Sequence, residues 1–196
     1  LEKRQVGDRR RWNYFVIDEE DRRPMVLADM KLAADNPTDV ILFNIDSKSE
    51  TNGKQNKDAI VNVFLKVFNQ MQGFCGSIPH VADLERRLSE EGRYDEFKAT
   101  FEEEYGDPWE DSRQDFDFIQ DSVVDALVSM DFMSEAAARN WCEKAVEPYT
   151  ISIEAFAKRV KAYIDRKGNN HHVVFLVDEI GQYIGDDSKL MLNLQN

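Results

Sequence analysis

Apolar residues along this chain follow two kinds of pattern. Short, nearly unbroken runs occur twice, in TDVILFNIDSKS over 40–45 and in HHVVFLVDEIG over Val173–Val177. Runs this short, rich in β-branched and aromatic residues, predict buried strands. Elsewhere the spacing is helical. Ile60, Val63, Phe64, Val67, Phe68 and Met71 recur at three and four residues, with Gly73 and Gly76 as terminators. Ile153, Phe156, Val160, Tyr163 and Ile164 mark another amphipathic helix, stopped at Gly168.

Everything from 79 to 149 reads as helical. One helix ends at Gly92 and a second at Gly106, Pro108-Trp109 marks a bend, and DFDFIQDSVVDALVSM follows. A last helix opens at Ser134, a predicted N-cap, and ends before Pro148. Upstream, a small strand is expected at Tyr14–Ile17 within a polar segment, and a helix from Pro24 to Ala34.

The order strand, helix, helical segment, helix, strand, helix predicts an α/β fold. Its short strands are parallel, reached by a crossover, with a large helical insertion between them. Four segments follow: a polar 1–23, a first part of the core at 24–78, the insertion at 79–150, and a second part of the core at 151–196. Charge reinforces this division. Residues 80–150 hold 20 acids and 7 bases, and 7 minus 20 gives the whole net charge of -13. Such an acidic surface repels phosphates, so direct nucleic-acid binding is not expected, the Arg9-Arg10-Arg11 cluster notwithstanding. The simplest reading of the acids is a solvated helical surface; an acidic docking face is the alternative.

Candidate chemistry lies where the second apolar run meets Asp178 and Glu179. Ligands of open α/β sheets bind beyond the carboxyl ends of their strands. An apolar parallel strand of this kind is expected to be buried on both faces, and because successive residues of a strand point in opposite directions, the two acids can take different roles. One can hold Mg²⁺ through its water shell, and the other can polarise the water that attacks a γ-phosphate. This is the Walker B pattern. A strand that merely ends in two acids at a solvent-exposed loop has the same signature. The companion phosphate loop, GxxxxGK[ST], has no good match. Around Gly53-Lys54, Lys48 stands at the first glycine position and Gln55 at the hydroxyl position, so this stretch reads as a polar loop.

Cys75 and Cys142 are far apart and form no CxxC, consistent with ordinary thiols; no nucleophile signature surrounds them. His171 and His172, after Gly168-Asn169-Asn170, read as solvated turn residues. The longest apolar run is about six residues against the roughly 20 of a membrane span, and there is no secretory or lipidation motif. A cytoplasmic location is expected.

The segments ILFNIDSKS, VNVFLKVFNQMQGFCG and VVFLVDEIGQYIGDDSKLMLNLQ together resemble the large P-loop ATPases of bacterial BREX phage-defence systems, the BrxC/PglY family. The resemblance runs from about residue 25 to the end. It implies that the chain is an internal piece of a longer ATPase, a partial AAA+-like P-loop core bearing Walker B but not Walker A. By carry-over, Glu179 is the catalytic, water-activating acid. Asp178 is the Mg²⁺-associated, cofactor-binding acid, and Gln182 a nearby nucleotide contact. Mg²⁺ and ATP are implied for the parent, with neither held tightly by this piece, which is expected to be inactive alone. Implied partners are other BREX components or a second copy joined through an exposed strand edge. A non-catalytic acidic helical interaction module is the alternative function.

Overall fold

A computed structural model describes residues 35–45, 57–168 and 170–180. The strand expected at Tyr14–Ile17, the helix at 24–34, the Gly53-Lys54 loop and the Arg9-Arg10-Arg11 cluster lie outside these residues.

The described elements, in chain order, are β1 (Thr38–Asn44), α1 (Lys57–Met71), α2 (Pro79–Glu90), α3 (Tyr94–Tyr105), the short α4 (Trp109–Ser112), a 3₁₀ turn at Arg113–Asp115, α5 (Phe116–Ser129), α6 (Glu135–Ala145), α7 (Ile153–Lys167) and β2 (His172–Asp178). β1 and β2 pair as a two-stranded sheet. His172 donates its N–H to the Pro37 carbonyl at 2.9 Å. Together with the shared chain direction, that bond sets residue 172 opposite 38 and residue 178 opposite 44, the parallel arrangement expected of strands joined through helices.

The described residues form two compact units. One comprises those of Leu1–Val40 and Val160–Val174, the other those of Ile41–Arg159 and Phe175–Asn196. In the second unit, aromatic side chains of α1 and α7 cover one face of the strands. The Phe64 ring lies 5.4 Å from that of Phe43 and 5.2 Å from that of Phe175. Phe68 meets Phe156 edge-on at 5.8 Å, and Phe156 reaches Phe175 at 6.3 Å. Ile41 and Phe43 are buried on this side.

The opposite face departs from the sequence expectation. The strands are not buried on both sides: exposure alternates along each. Leu42 is 74% exposed and Leu176 48%, and the register sets these two side by side within the second unit. Val40 and Val174 are likewise exposed and paired within the first unit. An apolar run satisfies either a one-sided or a two-sided sheet, and the described helices cover one side.

A second hydrophobic cluster runs from Phe74 to Ala145, centred on Phe97, Phe101, Trp109, Phe116, Val123 and Leu127. Its helices end where sequence predicts. Gly106 takes a left-handed φ of +99° and returns its N–H to the Glu102 carbonyl, a conformation that disfavours any side chain. The Ser134 hydroxyl accepts the Ala137 N–H at 3.4 Å, the predicted N-cap of α6. Every acid between 80 and 150 except Asp83 and Glu85 is exposed, so most of the charge is a solvated surface.

Glu85 is wholly buried because four donors converge on it. It accepts from the Cys75 N–H, the Tyr94 hydroxyl (2.8 Å), Trp109 Nε1 (2.7 Å) and Arg113 Nη1 (2.7 Å). Burial, and then the charge of Glu85, push the Tyr94 phenol far above its ordinary value. This carboxylate ties α2, α3, α4 and the 3₁₀ turn to one point.

Candidate functional site at the carboxyl ends of the strands

β2 delivers Asp178 to the sheet's carboxyl end, opposite Asn44 at the end of β1. Both Asp178 and Glu179 are exposed. The alternation expected to send the two acids in opposite directions stops at Asp178, because Glu179 has φ +61°. A non-glycine residue in this left-handed region carries a conformational cost of about 1–2 kcal/mol. Outliers of this kind concentrate at functional sites. The turn is stitched by two bonds. The Glu179 N–H donates to Asp178 Oδ1 at 2.9 Å, and the Asn44 side-chain amide donates to Glu179 Oε2.

Each acid therefore has a defined orientation. One oxygen of Glu179 is engaged by an amide and the carboxylate retains further acceptor capacity. Asp178 uses one oxygen on a neighbouring backbone N–H and presents an exposed carboxylate. Mg²⁺ binds through one or two carboxylates, retained waters and substrate phosphates, and an exposed aspartate beside a second acid suits that donor set. Among the described residues, no group of three or more His, Cys, Asp or Glu is arranged to hold a metal. Gln182 lies outside the described residues.

Asn44 is the member that sequence reasoning left without a role, although its place at the end of the first apolar run was the available signal. His171 departs from the expectation. It is not a solvated turn residue: its ring nitrogen Nε2 lies 2.8 Å from Asp39 Oδ2, with the side chain 8% exposed. Tyr163 donates to the same Asp39 oxygen at 2.6 Å. His172 is exposed, as expected. Both cysteines are buried and free, and burial pushes the Cys142 thiol up to about 11, which leaves it a poor nucleophile.

No described helix is long and apolar enough to cross a membrane. No protein-family model and no solved structure matches the chain. The site's geometry is that of a parallel strand pair with two acids and an amide gathered at its carboxyl end.

Proposed function

We propose that the chain is the Walker B-bearing part of a P-loop ATPase, of the kind that serves bacterial phage defence in BREX systems. The observation that carries this reading is the position of Asp178 and Glu179 at the carboxyl end of a parallel strand, with Asn44 of the neighbouring strand bonded to Glu179. Asp178 holds hydrated Mg²⁺, and Glu179 is the base that orients and polarises the attacking water. Bound Mg²⁺ neutralises charge that develops on the phosphoryl oxygens. Asn44 fixes the carboxylate that must meet the water. A glycine-rich phosphate loop has to come from elsewhere in a longer protein, so the isolated chain neither binds Mg-ATP tightly nor turns it over.

The test joins the chain to its natural upstream sequence and measures ATP hydrolysis. Turnover that collapses in Glu179→Gln, with Mg-ATP affinity retained, supports the reading. Turnover unchanged in Glu179→Gln overturns it.

A second reading, a non-catalytic interaction module, is favoured by one feature of α5. Phe118 is 89% exposed and lies between Asp117 and Asp121, which are exposed as well. A partner for that surface carries a basic, partly apolar groove. Pull-down with Phe118→Ser against the parent separates the two functions, because ATP turnover does not depend on this residue.

A further inference from the structure

Away from the strand ends, polar side chains of the second unit converge on Asp83 of α2. Arg86 Nη1 lies 2.5 Å from Asp83 Oδ1, and Arg159 Nη1 of α7 lies 2.9 Å from the same oxygen. Tyr149 donates its hydroxyl to Asp83 Oδ2 at 2.8 Å, and Arg159 Nη2 reaches the Tyr149 oxygen at 3.1 Å. Arg86 Nη2 donates to Asn69 Oδ1 at 2.5 Å. The His80 ring stands edge-on to Tyr149 at 4.8 Å. One carboxylate thus faces two guanidinium groups, which leaves a surplus of positive charge in a chain whose net charge is -13.

The donors are not exhausted by these bonds. Asn69 is fully buried, and its Nδ2 has no hydrogen-bond partner among the described residues. Arg86 is 8% exposed, and its Nε is likewise unpartnered, as is His80 Nε2. Arg159 Nη1 touches Asp83 without an aligned hydrogen bond. A buried donor without an acceptor carries its full desolvation penalty, and here several belong to one cluster. Burial, and then the like charge of Arg159, depress the Arg86 pKa, as expected where two cations share too little negative charge. Asp83 and Arg159 keep 34% and 22% of their side-chain surface exposed, so solvent reaches the Asp83 side of the cluster, while the unpartnered donor atoms are themselves buried.

We propose that Arg86, Arg159, His80 and Asn69 form a binding site for a phosphate-type oxyanion, in which Asp83 is the resident anion that holds the two arginines together. Guanidinium, imidazole and amide N–H groups are the donors that tetrahedral oxyanions accept. The ligand is inorganic phosphate or the phosphate of a small monoester, with the same donors serving both.

The full chain is titrated with inorganic phosphate, and separately with O-phosphoserine, while the side-chain resonances of His80 and the arginine Nε–H groups are followed by NMR. Sodium chloride at matched ionic strength is the control. Saturable shifts at His80 and Arg86 are expected with phosphate and not with chloride. A matching response to phosphoserine extends the site to monoesters; a response to phosphate alone restricts it to the free ion. Arg159→Gln is expected to weaken phosphate binding by roughly tenfold or more. Asp83→Asn removes the resident anion and leaves the two arginines without a counter-charge, which phosphate can supply, so phosphate should raise its melting temperature by more than it raises the parent's. If either variant fails to fold, the titration of the unaltered chain decides. Shifts that chloride reproduces, or no saturable shift at His80 and Arg86, overturn the proposal. So does an Asp83→Asn protein that folds and responds to phosphate no more than the parent.

Discussion

Asn44, the last residue of β1, donates its side-chain amide to the carboxylate of Glu179, which lies 135 positions further along the chain. The bond joins the ends of two neighbouring parallel strands and fixes an acid that otherwise stands on an exposed turn. In a protein extended upstream to include a phosphate loop, Glu179→Gln is expected to lower kcat by about 10²–10⁴-fold, the range that general-base catalysis contributes. Asn44→Ala leaves the proposed base, Glu179, in place but not its orientation. Its kcat should fall roughly ten- to a hundredfold with little change in KM for Mg-ATP. Steady-state ATPase assays on the three proteins check both expectations, and an Asn44→Ala enzyme with normal kcat would show that the amide has no part in turnover.

The Asp39 cluster gives the first unit a defined pH dependence. Burial acts to raise the Asp39 pKa, but the hydrogen bonds from Tyr163 and His171 outweigh it and hold the carboxyl below its usual range. Stability from this group is present above the unfolded value of 3.8 and is lost as pH falls through the lower folded value. Tyr163 works in the other direction. Burial, and then its bond to Asp39, push the phenol well above 10. Its contribution is present below pH 10 and is lost as pH rises through the folded value. Urea unfolding between pH 2 and 11 should show the acid limb and the onset of the alkaline one in the parent. Tyr163→Phe should cost about 1.5–3 kcal/mol at pH 7, the range for a hydrogen bond to a charged group, and should remove the alkaline limb.

Glu85 predicts a larger loss. Glu85→Gln keeps the shape of the side chain but leaves the Arg113 guanidinium beside a neutral amide in a site where the acid was fully buried. Removing one partner of a buried ion pair costs about 3–5 kcal/mol. Trp109 Nε1 bonds the same carboxylate, so tryptophan fluorescence during urea unfolding reports the change directly. A loss below 1 kcal/mol would mean that water replaces the carboxylate without penalty.

The uncovered face of the strands predicts self-association of the isolated chain. Leu42 lies beside Leu176 and is 74% exposed. Apolar residues paired on an open sheet face favour contact with another surface. Leu42→Lys should leave thermal stability nearly unchanged, because the side chain is already in solvent, and should shift sedimentation toward the monomer. A parent chain that stays monomeric at high micromolar concentration removes this expectation.

Local signals carried the elements well, and long-range ones did not. Helical spacing, the left-handed stop at Gly106 and the Ser134 cap are written within a few residues of one another, so they can be read without tertiary knowledge. The parallel pairing also followed, since two apolar runs separated by helices leave few topologies. The uncovered face did not follow, because Val40, Leu42, Val174 and Leu176 are as apolar as the residues they alternate with. Glu85 was hidden among twenty acids that are nearly all solvated, and only its partners, up to 28 positions away, distinguish it. His171 looked like part of a turn because its acceptor, Asp39, is 132 positions distant. At the strand ends, the two acids were legible as a pair, whereas their turn at Glu179 and the Asn44 bond required coordinates.

The separation of the two strands also sets an order of assembly. The helices between Pro79 and Ala145 bury Phe97, Trp109 and Val123 among partners close in the chain, whereas β1 waits for residues more than 120 positions downstream. Closing so long a loop is entropically unfavourable until the intervening helices have shortened the distance to be spanned. Helix α5 should therefore acquire protection from hydrogen exchange early in refolding, and Val173–Val177 late. Pulse labelling that finds the strand amides protected first would reverse this order.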